Sequence, residues 1–146
     1  MNKRRIEFAV DERGVVRSPD LHDATVSALN LESPGGRRVL TLSFRTTSGL
    51  ELDVTVRGVE RLRIDDLLEA NIIFDARIQT LRQYGSQIVV DLFGSDSDRA
   101  QSTFAQMLAQ EGSEHLSVLS ISPAYGFTLV AVFREIEVLM TLAPAP

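Results

Sequence analysis

Apolar and polar side chains alternate at period two along most of this chain, and that rhythm confines it to a fold built from sheets. Leu40, Leu42 and Phe44 alternate with Thr41, Ser43 and Arg45, and Leu50, Leu52, Val54 and Val56 with Glu51, Asp53, Thr55 and Arg57. Neighbouring strand side chains point to opposite faces, so each apolar set lines one face of a sheet. Ser33-Pro34-Gly35-Gly36 and Thr46-Thr47-Ser48-Gly49 read as the loops of two hairpins. Residues 59–64 read as a further strand and residues 65–69 as a helical turn. Residues 72–81 fit either a strand or a helix by pattern, and their β-branched side chains favour the strand. Two runs, 88–93 and 127–133, are apolar on both faces, with Asp91 the exception in the first, which predicts central strands covered on both sides.

One segment has a different period. After Gly94, Ser95-Asp96-Ser97-Asp98 supplies helix-capping residues. Ala100, Phe104, Met107 and Leu108 then recur at helical spacing, and Gly112 offers a stop. This predicts one amphipathic helix over 98–111. Strands resume over 116–122, turn at Pro123-Ala124-Tyr125-Gly126, and continue over 127–133 and 136–142, with Ala143-Pro144-Ala145-Pro146 as a frayed tail.

The chain also repeats itself. "LSFRTTSGLELDVTVRGVERL", from Leu42, aligns without a gap on "LSISPAYGFTLVAVFREIEVL", from Leu119, with Gly49/Gly126, Arg57/Arg134 and Glu60/Glu137 among the identities. Sheet patterning explains the apolar matches but not the glycine, arginine and glutamate. A second pair, "HDATVSAL" from His22 and "FDARIQTL" from Phe74, places Asp23 on Asp75 and His22 on Phe74. The expected fold is therefore α+β and β-rich: curved antiparallel sheets from two related halves, 21–64 and 73–142, with one helix inserted in the second, all in a single domain spanning 1–146.

Composition removes several functions. The chain has no cysteine, which excludes disulfides, thiol nucleophiles and cysteine-ligated metal. No apolar stretch of about 20 residues spans a membrane and no signal-peptide core follows the basic start, so the expected location is the cytoplasm. The net charge is −5: residues 1–48 hold eight Lys/Arg against six Asp/Glu, and the remainder seven against fourteen. An acidic body argues against nucleic acid and suits a basic partner.

Chemistry is sparse. The two histidines, His22 and His115, have no metal-ligand spacing around them, and Asp96-x-Asp98 lacks the rest of a calcium loop. No nucleophile elbow, phosphate-binding loop or dinucleotide fingerprint occurs, and no cofactor is implied. The candidate binding residues are His22 and Asp23, adjacent at a strand entry, and the pair Asp65 and Asp66. If Asp23 and Asp75 open equivalent strands, each carboxylate is expected to accept backbone N–H groups, with His22 packing where an aromatic ring also fits. A hydrolase pairing His22 with Asp23 is disfavoured, because strand neighbours point to opposite faces.

Several segments carry a resemblance: "LHDATV" from Leu21, the "GVERL" bend from Gly58, "NII" from Asn71, and "ISPAYG" from Ile121 before a long apolar strand. Together they resemble small uncharacterised bacterial proteins, some grouped with polymorphic-toxin immunity proteins. The resemblance spans Leu21 to Leu139 and implies a cytoplasmic protein without catalysis that binds a toxin domain. Three functions follow in order of expectation. The first is a non-catalytic, immunity-type binder of a basic toxin-like domain. The second is a small-ligand module with an apolar pocket between sheet and helix near His22. The third is a hydrolase using His22 and clustered carboxylates. The sequence leaves a homodimer open.

Overall fold

The computed structural model of the chain describes residues 2–142; the 143–146 tail lies outside them. In chain order the elements are β1 (Lys3–Ile6), β2 (Ala9–Val10), β3 (Val16–Ser18), β4 (Thr25–Glu32), β5 (Val39–Arg45), β6 (Glu51–Arg57), β7 (Arg61–Asp65), β8 (Ile72–Thr80), α1 (Leu81–Tyr84), α2 (Gln87–Phe93), α3 (Asp98–Leu108), β9 (Ser117–Tyr125), β10 (Thr128–Phe133) and β11 (Glu135–Thr141). The fold is α+β and strand-rich. Its main sheet is antiparallel and open, in the order β1-β11-β6-β5-β4-β8-β9-β10-β7, and β2 pairs with β3 in a small second sheet.

That order forces the sheet to curl. A single residue, Arg134, links β10 near one margin of the sheet to β11 near the other, and residues 58–60 link β6 to β7 across the same span. Linkers this short require the two flanks to face each other. Backbone bonds fasten the crossing: Glu60 N–H donates to the Val132 carbonyl at 2.8 Å and Arg134 N–H to the Arg57 carbonyl at 3.1 Å. The core fills the space between the flanks, with Leu42, Phe44, Leu52 and Val54 from one and Leu119, Ile121, Leu129 and Ala131 from the other.

The hairpins β5–β6 and β9–β10 share a register. Leu42 faces Val54 and Phe44 faces Leu52; likewise Leu119 faces Ala131 and Ile121 faces Leu129. Beyond the bend the correspondence slips by one residue, because Arg61 lies opposite Val132 whereas Glu137, and not Val138, lies opposite Thr55. The "HDATVSAL" and "FDARIQTL" match does not survive. Thr25 pairs with Arg45 while Asp75 pairs with Ser122, so it is Thr25, two residues after Asp23, that occupies the place of Asp75.

Helices differ most from expectation. Residues 88–93 form α2, not a central strand. Ile88, Val89 and Leu92 are buried on one helical face while Asp91 and Gln87 lie on the other, and Gly94 closes the helix with a φ of 75°. A short apolar run reads equally as buried strand or helix by periodicity alone. With α1, the segment between β8 and β9 therefore holds three helices where one was expected. The third, α3, starts from Ser97, whose hydroxyl accepts Ala100 N–H at 3.2 Å. The helices bury Leu81, Ile88, Val89 and Met107 against Val118 and Val132. This explains the doubly apolar β10: Leu129, Ala131 and Phe133 face the inter-flank core, and Val130 and Val132 face the helices.

Residues 65–69 form no helical turn. β7 runs through Asp65, and an irregular loop held by Asn71 follows. The Asn71 side chain is buried; its Oδ1 accepts from Leu68 N–H at 3.1 Å and Phe127 N–H at 3.2 Å, and its Nδ2 donates to the Leu68 carbonyl at 2.9 Å. Gly126 makes this possible: its φ is 101°, and a Cβ there would collide with Asn71. The turn is also tighter than expected, since β9 continues through Pro123 to Tyr125 before reversing. Asn71→Ala leaves the Phe127 and Leu68 N–H groups unpaired, and unfolding in urea is expected to show a loss of about 1–3 kcal/mol.

Candidate functional site

His22 and Asp23 occupy a turn, and β4 begins only at Thr25. Asp23 adopts a left-handed φ of 61°, a conformation Asp tolerates better than most residues. The opposite-faces rule for strands therefore does not apply, and the two side chains meet, with His22 Nε2 3.6 Å from Asp23 Oδ2. The other ring nitrogen, Nδ1, lies 2.8 Å from the Phe74 carbonyl, and the imidazole stands edge-on to the Phe74 ring with centroids 5.2 Å apart. His22 thus touches the aromatic residue it was aligned with and does not replace it. Neither Asp23 nor Asp75 caps a backbone: Asp20 accepts the His22 N–H at 2.9 Å, and Asp75 Oδ1 is buried with no partner.

Nδ1 is therefore engaged, while Nε2 faces the Asp23 carboxylate beyond hydrogen-bond length. With Nδ1–H donating to Phe74, the Nε2 lone pair faces a carboxylate, a poor arrangement for a general base that must reach a substrate proton. The Phe74 hydrogen bond, and after it the Asp23 charge, raise the His22 pKa above 6.5. The stabilisation from protonated His22 is therefore complete below about pH 6.5 and is lost as pH rises through the folded-state value. The ring proton resonance of His22 should titrate above 6.5, Asp23→Asn should lower that midpoint, and His22→Gln should destabilise the protein more at about pH 5.5 than at about pH 8.

The four candidate binding residues reach one end of the sheet but not one cleft. A cavity of about 420 Å³ is lined by His22, Asp20, Phe74, Asp75, Arg13 and Arg77, among others. Asp65 lines a larger groove elsewhere, and Asp23 and Asp66 line neither. Asp65 is bound by Arg63, at 2.7 Å from Nε and 3.3 Å from Nη2. Asp66 has a φ of 60° and leads into the loop clasped by Asn71.

The larger groove, about 710 Å³, was not anticipated. Its floor is the outer face of β7 to β10, and α1 and α2 wall one side. Register places Val130 opposite both Arg63 and Ser120, with Ser120 opposite Arg77; in a neighbouring row Thr128 lies opposite Asp65, and Ser122 opposite Asp75. On the wall, Asp91 accepts from the Tyr84 hydroxyl at 2.5 Å and from Gln87 Nε2 at 3.2 Å. Burial, reinforced by Asp91, pushes the Tyr84 phenol up, so it stays a donor. The sequence did hold a signal: Asp91 was the one polar residue in an apolar run.

Among the described residues, no group of three or more His, Asp or Glu side chains is placed to hold a metal ion, and no helix is long and apolar enough to cross a membrane. Comparisons of the chain with protein-family models, curated proteins and solved structures find no significant match.

Proposed function

We propose that this protein is a non-catalytic, cytoplasmic binding protein of the immunity type, which docks a basic toxin-like domain on the surface at the end of the strands around Leu67, Leu68, Phe74 and Tyr125. One observation carries the reading. These four side chains are 58%, 43%, 53% and 49% exposed, large apolar groups left in water at one end of the sheet. The segments that carry them are tied together: Leu68 to Phe127 through Asn71, Tyr125 to Ile72 by strand pairing, and Ile73, next to Phe74, to Asp23 by a backbone bond of 2.9 Å. Asp20, Asp23, Asp66 and Glu69 lie in the turns and loop of the same end. An apolar centre containing aromatic anchors, with a polar rim, is the anatomy of an interface; the loop carboxylates favour a basic partner, with Arg13, Arg17 and Arg77 set beside Phe74.

The architecture also supports an internal duplication. From β11 to β7 the sheet order is symmetric about the β4–β8 junction, with β4 answering β8, β5 answering β9 and β6 answering β10; β7 and β11 are exchanged between halves. The repeated Arg and Glu pair crosswise, Arg57 with Glu137 at 3.6 Å and Arg134 with Glu60 at 3.1 Å. Three segments behind the resemblance to immunity-associated bacterial proteins, those starting at Leu21, Asn71 and Ile121, meet at the β4–β8–β9 corner. A second reading, a small-ligand module, is favoured by the polar groove; the cavity at His22 is smaller and is not lined by the helices.

Tagged wild-type protein and a Leu68→Ser/Tyr125→Ser variant, both checked for native unfolding midpoints, are passed through host lysate at low and high salt. The expected result is one near-stoichiometric basic partner, released by salt and held about tenfold more weakly by the variant. Equal capture by both proteins overturns the assignment of the surface. A particle of twice the chain mass that dissociates in the variant would identify a second copy as the occupant and overturn the toxin-domain reading.

A further inference from the structure

The outer face of β9 and β10 changes character along its length. Under the helices it is apolar, with Val118 and Val132 buried. In the open groove the same strands present Ser120, Ser122 and Thr128. A face meant only to be covered would have continued apolar. This one turns to hydroxyls where α2 stands beside it and leaves a concavity.

Its polar groups are held in place before any ligand arrives. Arg63 is fixed by Asp65 and lies against the C-terminal end of α2, where a Cβ on Gly94 would collide with the guanidinium. Asp91 is fixed by Tyr84 and Gln87. Capacity nevertheless remains. Arg77 meets Asp75 only at 3.6 Å, beyond hydrogen-bond length, and a carboxylate such as Asp91 has about four acceptor sites, of which two are taken. The floor hydroxyls add donors and acceptors that face the groove.

The charges select the ligand class. Arg63 and Arg77 are balanced by Asp65 and Asp91, so the lining has no net charge. An anion would meet Asp65 on Arg63 and Asp75 beside Arg77, and a cation would meet two guanidinium groups. A neutral molecule that both donates and accepts does neither. A hydroxyl both donates and accepts, so it can accept from a guanidinium and donate to a carboxylate in charge-assisted hydrogen bonds. The partly exposed Val90 and the Tyr84 ring offer an apolar surface for a ring's C–H face. A volume of about 710 Å³ lies in the range of small-molecule sites. We propose that this groove binds a neutral hexopyranose, alone or at the end of a short glycan. The proposal rests on the small-ligand reading of the groove and is separate from the docking surface.

The test is an amide-resolved NMR titration of the intact protein with glucose, galactose, mannose and N-acetylglucosamine, alongside glucosamine and glucuronate as cationic and anionic counterparts. At least one neutral sugar should give saturable shifts at Gln79, Ser120, Ser122 and Thr128, with a Kd of about 1 mM, and both charged sugars should bind about tenfold more weakly. Asp91→Asn and Ser122→Val should each weaken binding by about tenfold, whereas Leu68→Ser should leave it unchanged. Saturation only by a charged sugar overturns the ligand class while keeping the groove as a site. No saturable shift in the groove with any of the six sugars overturns both.

Discussion

The fold depends on a crossing. Each hairpin is completed by the strand that follows the other one: β7 leaves β6 to pair with β10, and β11 leaves β10 to pair with β6. Glu60 N–H to Val132 and Arg134 N–H to Arg57 are the backbone bonds at that point. Either half alone would leave an apolar face and a strand edge in water, and joining them removes both at once. The inter-flank core and the curl follow from that exchange, and the helices between β8 and β9 cover the outer face of β9 and β10. At the other end of the sheet, Asn71 closes the loop that carries the chain from β7 back to β8.

Much of the sheet was legible because period-two alternation is a local signal. The β5–β6 hairpin reads from its own residues, and its register is set by the same apolar face that buries Leu42, Val54 and Val56. Residues 88–93 misled because their one-sidedness appears only when they are wound as a helix and Ile88, Val89 and Leu92 share a face. Asp23 and Asp75 misled for another reason. Three identities in eight residues cannot report pairing partners, and the partners, Arg45 for Thr25 and Ser122 for Asp75, set the true correspondence.

The candidate sites were legible in unequal measure. His22 and Asp23 stand together in sequence, and a turn brings their side chains together in space. The groove was hidden because Arg63, Arg77, Tyr84, Asp91, Ser120 and Thr128 come from six elements, each reading as the ordinary polar face of a strand or helix. Only the tertiary arrangement, with α2 beside an uncovered stretch of β9 and β10, makes them neighbours. The exposed apolar side chains at the strand ends were missed similarly, since a leucine in a loop announces nothing until its burial is known.

The exchange of β7 and β11 also sets an order of assembly. A ribosome delivers β5 and β6 long before residues 135–141, yet the outer edge of β6 has no partner until that last strand arrives. The nascent chain therefore carries an unfinished edge while the residues between β6 and β11 are made. Closure is dominated by pairings between distant residues, which places this protein among the slower folders for its length. The first hairpin waits for the strand that follows the second.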